Sequence, residues 1–91
     1  MAPDMKPYLT VRQVEVVRLI SLGCTNNEIA AILGLSASAA DNHRTRVMKA
    51  LGTDKNALVT RIALMHRFTD FADKLTATEK RKSGRKNDGW N

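Results

Sequence analysis

The side chains able to do chemistry in this sequence are polar and basic groups concentrated in the middle of the chain. Asn42 can pair with adenine through two hydrogen bonds, and Thr45 can contact a thymine methyl group or a phosphate. Arg44, Arg46 and Lys49 can bind phosphate oxygens, which fixes the register of a protein on a duplex without reading its sequence. These residue types predict recognition of double-stranded DNA by hydrogen bonds and charge.

Catalysis and metal binding have no comparable pattern in this chain. The acidic residues Glu15, Glu28, Asp41 and Asp54 are not spaced for acid–base work, and no nucleophile has a base at motif spacing. Cys24 is the single cysteine, so no internal disulfide and no Cys/His zinc cluster can form, and an inert small residue is expected there. We expect a protein without enzymatic activity, cofactor or metal.

Length and charge narrow the class of partner. The chain has 91 residues, enough for one domain, and a net charge of +6, which favours nucleic acid first and an acidic membrane second. Aromatic residues make up only 4% of the chain, which argues against a stacking platform for single strands. Neither a signal peptide nor a membrane-spanning stretch is evident, so we expect a cytoplasmic protein.

Two helices joined by a short turn must position these side chains. Thr25 and Glu28 form a capping box that starts a helix at Asn26, and Gly34 is suited to end it at Leu33. Ser36 then caps a second helix over residues 37–51. Helices over 26–33 and 37–51 with a glycine-containing turn between them predict a helix-turn-helix, whose second helix fits a DNA major groove.

The flanking segments complete the predicted domain. Residues 1–8 form an irregular arm, and Thr10 with Gln13 caps a helix over 11–22. A fourth helix is expected over 55–75, and the charged segment 76–91 is expected to be a disordered basic tail. The predicted fold is all-α, with four helices in a domain spanning residues 9–75.

The predicted fourth helix carries an apolar stripe at spacings of three and four residues. A helix of that length cannot bury all of these side chains against three others, which predicts a two-fold dimer. The alternative is that its first half packs on the first helix and the remainder frays. The expected dimer residues are Leu58, Ile62, Met65, Phe68 and Ala72.

A run of motif residues along about two-thirds of the chain matches a known family: Leu9-Thr10, Arg12, Glu15-Val16-Val17, Gly23, Thr25-Asn26-Asn27-Glu28-Ile29-Ala30, Leu33-Gly34-Leu35-Ser36, His43, Val47 and Leu51-Gly52, followed more weakly by Asn56-Ala57-Leu58-Val59. In these residues the chain resembles the four-helix DNA-binding domain of the LuxR/FixJ family of bacterial transcription regulators. The resemblance implies that the third helix is the recognition helix, that the second sets its N-terminus on the phosphate backbone, and that the fourth often forms a dimer contact.

The set of residues expected at the DNA combines the motif with the outward face of the third helix. The third helix departs from the family early in its sequence, where a Thr-Val-Lys run is usual and this chain has Ala39, Ala40 and Asp41. An acid facing DNA is unfavourable unless it accepts a hydrogen bond from a cytosine amino group or pairs with Arg44 or Thr45. The expected DNA-binding residues are Thr25, Asn26, Asn27, Ser36, Ser38, Asp41, Asn42, Arg44, Thr45, Arg46 and Lys49.

The main hypothesis is a stand-alone, sequence-specific DNA-binding transcription regulator that acts as a homodimer. The acid at Asp41 favours an alternative, a protein-interaction adaptor on the same scaffold that binds RNA polymerase or another regulator. A third hypothesis is a promoter reader similar to sigma factor region 4, which shares the first three helices. His43 and the fourth helix after Gly52 favour the LuxR-like interpretation over this last one.

Overall fold

The computed structural model describes residues 7–86, and this part of the chain forms five α-helices and no strand. The all-α class and the helix-turn-helix are therefore confirmed. Of the predicted arm, residues 1–6 lie outside the described range. None of the helices within it is long and apolar enough to cross a membrane. The helices are α1 Val11–Ser21, α2 Asn26–Leu33, α3 Ala37–Leu51, α4 Asn56–Met65 and α5 Ala77–Ser83.

Local capping explains where α2 and α3 begin and end. The Thr25 hydroxyl accepts from the Glu28 amide at 3.2 Å, and the Glu28 carboxylate accepts from the Thr25 amide at 2.8 Å. Gly34 leaves α2 at a φ of 69°, a left-handed conformation that costs a residue with a Cβ about 1 kcal/mol or more. The hydroxyl of Ser36 accepts from the Ala39 amide at 3.1 Å and starts α3.

The core lies between α1 and the three helices that follow it. α1 packs mainly against α4 and α3, and α2 packs against α3. Each large aliphatic side chain that is fully buried contributes about 1.5–3 kcal/mol relative to the exposed state. The buried side chains include Val16, Val17, Leu19 and Ile20 of α1, Ile29 of α2, Ala40, Val47 and Leu51 of α3, and Val59 and Ala63 of α4.

The prediction of a fourth helix reaching residue 75 is wrong, because α4 ends at Met65. Arg67 adopts a φ of 60°, the left-handed conformation that usually requires glycine. The amide of Phe68 donates to the Ala63 carbonyl at 2.9 Å, and the amide of Arg67 donates to the Leu64 carbonyl at 3.3 Å. These two bonds form a Schellman motif, which turns the chain back so that Phe68 packs on the core and Leu75 is buried.

The prediction of a disordered tail over residues 76–91 is also wrong where the structure describes it. Thr76 and Glu79 form a third capping box that starts α5, and α5 packs against α2. Residues 87–91 of the predicted tail lie outside the described range.

Arg18 of α1 anchors this returning segment, although its position on α1 predicts a solvent-facing side chain. Its guanidinium donates to both carboxylate oxygens of Asp73 at 2.9 and 3.1 Å and to Glu79 at 2.7 Å. It also donates to the Lys74 carbonyl at 2.9 Å. These bonds hold the segment after α4 against the face of the domain formed by α1 and α2.

Candidate nucleic-acid interface

The outward face of α3 carries most of the predicted DNA-binding side chains. Ala40, Val47 and Leu51 turn inward and are buried, so the helix has one fixed orientation on the core. Residues 38, 42, 45 and 49 follow a helical period of three and four on the opposite side, which places them in one exposed stripe. The exposed residues of this face are Ser38, Asp41, Asn42, Thr45, Arg46 and Lys49.

Asp41 has a hydrogen-bond partner on α2 that its position in the sequence does not predict. The side-chain amide of Asn26, in the first turn of α2, donates from Nδ2 to Asp41 Oδ1 at 3.0 Å. This bond joins the start of α2 to the outward face of α3 and leaves the second carboxylate oxygen as an acceptor. Of the alternatives considered for Asp41, pairing with Arg44 does not occur in the structure, because Arg44 is directed toward α4 and donates to Asn56. Among the described residues, Asn26 Oδ1 is buried and has no hydrogen-bond partner.

Arg44 extends from α3 to the start of α4. Its Nη2 donates to the Asn56 side-chain carbonyl, which fixes the guanidinium at the junction of α2, α3 and α4. An open groove of about 640 Å³ lies there, and Asn26, Asn27, Arg44 and Asn56 are among its lining residues. Sequence reasoning missed Asn56, because only the packing of α4 brings it beside Arg44.

The start of α2 offers backbone donors at this groove. The amides of Asn26 and Asn27 belong to the first turn, where a helix has no internal acceptor for its N–H groups. The positive end of the helix dipole adds to the attraction for an anion. The side chains of Thr25 and Ser36 serve as helix caps. Each hydroxyl oxygen accepts a hydrogen bond from a backbone amide, so each hydroxyl can contribute to the predicted interface as a donor.

A second groove, of about 840 Å³, lies between the end of α3 and the start of α4. Thr45 and Lys49 form one side of it, and Lys55 and Leu58 form the other. Lys55 was not among the predicted site residues, since the sequence marks it only as the start of a helix. Its Nζ lies 3.4 Å from Asp54, but both side chains are more than 70% exposed, so the pair contributes little to stability.

The predicted dimer residues do not form one helical stripe. Ile62 and Phe68 are partly buried against the core, and Ala72 lies in the segment between α4 and α5. Leu58 and Met65 stay 46% and 52% exposed, seven residues apart on one face of α4. Dimerisation through α4 stays a prediction that depends on these two residues.

Cys24 lies in the turn between α1 and α2 and is buried. Burial raises the pKa of its thiol to about 11 by disfavouring the thiolate, and the nearby Arg85 guanidinium lowers it by a smaller amount. Because the thiolate is the reactive form, this environment supports the predicted inert role. The described residues contain no group of His, Cys, Asp and Glu side chains arranged to hold a metal ion.

Comparison with known proteins agrees with the geometry of the helix-turn-helix. Residues 7–63 match the family described as bacterial regulatory proteins, luxR family. The chain is 40% identical over 58 residues to the transcriptional regulatory protein MctR of Rhizobium johnstonii, an alignment covering 64% of this chain and 27% of that protein. It is 39% identical over 56 residues to the uncharacterized response regulatory protein YgeK of Escherichia coli, covering 62% of this chain and 38% of that protein. The chain thus spans less than two-fifths of either relative, and no solved structure matches it.

Proposed function

The chain belongs to the luxR family of bacterial regulatory proteins, and from that premise we propose that it regulates transcription by sequence-specific binding to double-stranded DNA. The observation that carries the proposal is the exposed polar stripe of α3, held outward by the buried Ala40, Val47 and Leu51. With 15 residues at 1.5 Å per residue, α3 is about 22 Å long. A helix with its side chains is about 10–12 Å in diameter, which fits the major groove, about 12 Å wide.

Asn42 and Thr45 read bases in this proposal. Both are exposed and lie near the centre of the stripe, where a helix in the groove approaches base edges most closely. Asn42 recognises adenine through a bidentate amide contact, and Thr45 contacts a thymine methyl group or a phosphate. Asp41 accepts from a cytosine amino group through the carboxylate oxygen that Asn26 does not occupy.

The groups around this stripe bind phosphates. On one side the groove between α2 and α4 offers the α2 amides and Arg44. On the other side Lys49 and Lys55 flank the second groove. These contacts set the orientation of the domain and the salt dependence of binding, and they carry no base preference.

Two copies pair through the face of α4 that contains Leu58 and Met65, whose exposure supports an apolar contact. A two-fold dimer places the two recognition helices about one DNA turn apart, roughly 34–36 Å, and binds an inverted repeat. In this proposal the protein acts in the cytoplasm, where bacterial DNA lies. The proposal involves no catalytic step, cofactor or metal.

The test is selection of bound duplexes from a random pool, followed by fluorescence polarisation titration of the selected duplex. We expect an enriched inverted repeat and an affinity for it well above that for a mixed-sequence duplex. Equal affinity for every duplex, with only a counterion-release slope, would contradict sequence-specific regulation.

A second candidate function is a protein-interaction adaptor that binds RNA polymerase or another regulator. The observation that favours it is the exposed carboxylate of Asp41 in the first half of α3. A positively charged side chain at this position would favour binding to the negatively charged duplex. If Asp41→Lys acquires duplex binding that the parent chain lacks, the adaptor function is favoured over DNA recognition.

A further inference from the structure

The segment that follows α4 lies outside the part of the chain that matches the family, which ends at residue 63. It returns across the domain and continues into α5 and Lys86. We propose that this C-terminal segment, Thr76–Lys86, extends the DNA interface, with Lys86 contacting a phosphate beside the start of α2. The inference rests on the proposed function for the identity of the partner, duplex DNA.

The Arg85 side chain, just beyond the end of α5, reaches the turn that precedes α2. α5 itself packs against α2, and Thr78, Glu79 and Lys82 line a groove with Ile32 and Leu33 at the end of α2. Lys86 directly follows Arg85 in the chain, so it is one residue from a side chain anchored at the start of α2.

Arg85 anchors the segment after α5 to the turn before α2 and to α2 through four contacts. Its guanidinium donates to the carbonyls of Leu22 at 2.9 Å and Gly23 at 3.2 Å. It also lies 3.7 Å from the sulfur of Cys24 and 3.8 Å from the Glu28 carboxylate. The Arg85 side chain is only 19% exposed, so it acts as an anchor, whereas its neighbour Lys86 is exposed to solvent.

The acidic charge near the start of α2 would oppose a phosphate, and the basic segment formed by the end of α5 and the residues after it can offset this charge. Two acids, Glu28 and Asp41, lie on this side of the helix-turn-helix, and the first half of α3, residues 37–43, has no lysine or arginine. Residues 80–86 carry five basic side chains and no acid: Lys80, Arg81, Lys82, Arg85 and Lys86. The segment therefore supplies positive potential next to the position where α2 would receive a phosphate.

The experiment compares three variants with the parent chain on a labelled mixed-sequence duplex of about three helical turns, by polarisation at several salt concentrations. Each phosphate contact contributes about 0.9 to the slope of log affinity against log salt. We expect Lys86→Glu to reduce the magnitude of the slope by about 0.9 for each bound copy of the chain, and Lys86→Arg to keep the parent value. Because Lys86 is exposed, both variants should fold as the parent does, which thermal melting followed by circular dichroism verifies.

Arg67→Glu is the matched control, since it changes the net charge by the same amount. Arg67 follows the C-terminal end of α4, about 15 Å along the helix axis from Asn56, the partner of Arg44. The inference is supported if Arg67→Glu keeps the parent slope while Lys86→Glu lowers it. It is overturned if the two variants change the slope equally, or if Lys86→Glu leaves it unchanged.

Failure of this inference and failure of the proposed function give different results. A selected inverted repeat together with an unchanged slope for Lys86→Glu overturns the inference alone. A lowered slope for Lys86→Glu without any enriched sequence overturns sequence-specific regulation and leaves the phosphate contact supported. If the parent binds no duplex at any salt concentration, both are overturned.

Discussion

The side-chain amide of Asn26 donates a hydrogen bond of 3.0 Å to the carboxylate of Asp41, fifteen residues later in the chain. The bond joins the two helices of the helix-turn-helix on their outward side, next to the free amides of α2. It gives the acid on α3 a defined orientation, with one oxygen engaged and the other available as an acceptor.

Asp41 is therefore predicted to reduce affinity for DNA in general while selecting for a base. Asp41→Asn removes a negative charge from the interface, so its affinity for mixed-sequence duplexes should rise. Preference at one base pair should relax at the same time, because an amide replaces an oxygen that accepts from cytosine. Duplex selection with the parent and the variant measures both effects. A variant with the parent's preference at every position and a lower general affinity would show that Asp41 has neither role.

Arg18 is predicted to be the most important charged residue for folding. Arg18→Ala leaves Asp73 and Glu79 without their shared cation and removes the anchor of the returning segment, which should cost about 1–3 kcal/mol. The control is Arg12→Ala. The Arg12 side chain is 41% exposed, and its partner Glu15 lies on the same helix. That change should cost less than about 0.5 kcal/mol. Urea unfolding of both variants gives the comparison, and equal losses would contradict the anchoring role.

The same cluster predicts a loss of stability in acid. Burial alone would raise the pKa values of Asp73 and Glu79, but the hydrogen bonds and charge of Arg18, together with hydrogen bonds from Thr69 to Asp73 and from Thr76 to Glu79, outweigh burial and hold both below their ordinary values of 3.8 and 4.5. Groups with a lowered pKa in the folded state stabilise it above the unfolded pKa, and this stabilisation is lost as the pH falls through the folded pKa. The free energy of unfolding should therefore decline as the pH drops below about 4.5.

The variant pair Asp73→Asn and Glu79→Gln separates this cluster from the other acids. Both substitutions keep hydrogen-bonding groups, and glutamine can still complete the capping box with Thr76. The double variant should be less stable at neutral pH and should show a flatter decline in acid. A decline as steep as the parent's would place the acid sensitivity elsewhere.

Dimerisation is predicted to depend on Leu58, which is 46% exposed on α4. Leu58→Glu places a charge in the proposed apolar contact, so sedimentation should show a shift from dimer to monomer with the fold intact. Phe71→Glu is the control, because Phe71 is 78% exposed but lies in the segment after α4. A monomeric parent, or identical sedimentation of both variants, would contradict pairing through this face.

Sequence alone predicted the parts of this structure that short-range chemistry controls. The capping boxes at Thr10 and Thr25 and the glycine turn at Gly34 all depend on residues a few positions apart. The end of α4 was missed because Arg67 takes a left-handed conformation that is typical of glycine and that an arginine in the sequence does not predict.

The missed features of the site depend on distant residues. Thr76 and Glu79 repeat the capping pattern of α2, but the basic composition of the residues after them favoured the prediction of a disordered tail. The partner that stabilises this segment, Arg18, lies 61 residues before Glu79. Asn56 beside Arg44 and Arg85 at Gly23 are products of packing. The outward face of α3 could be predicted from its period, whereas the neighbours of that face could not.

The central claim, sequence-specific DNA recognition by α3, is tested most directly by comparing Asn42→Ala with Lys49→Ala on a selected duplex and on its single-base variants. Loss of a base contact should remove discrimination of about 1–3 kcal/mol at one position for Asn42→Ala. Loss of a phosphate contact should weaken the binding of Lys49→Ala about equally on all duplexes and reduce the magnitude of its salt slope by about 0.9 for each bound copy. If both variants weaken every duplex to the same extent with unchanged discrimination, α3 does not read the sequence and the account is wrong.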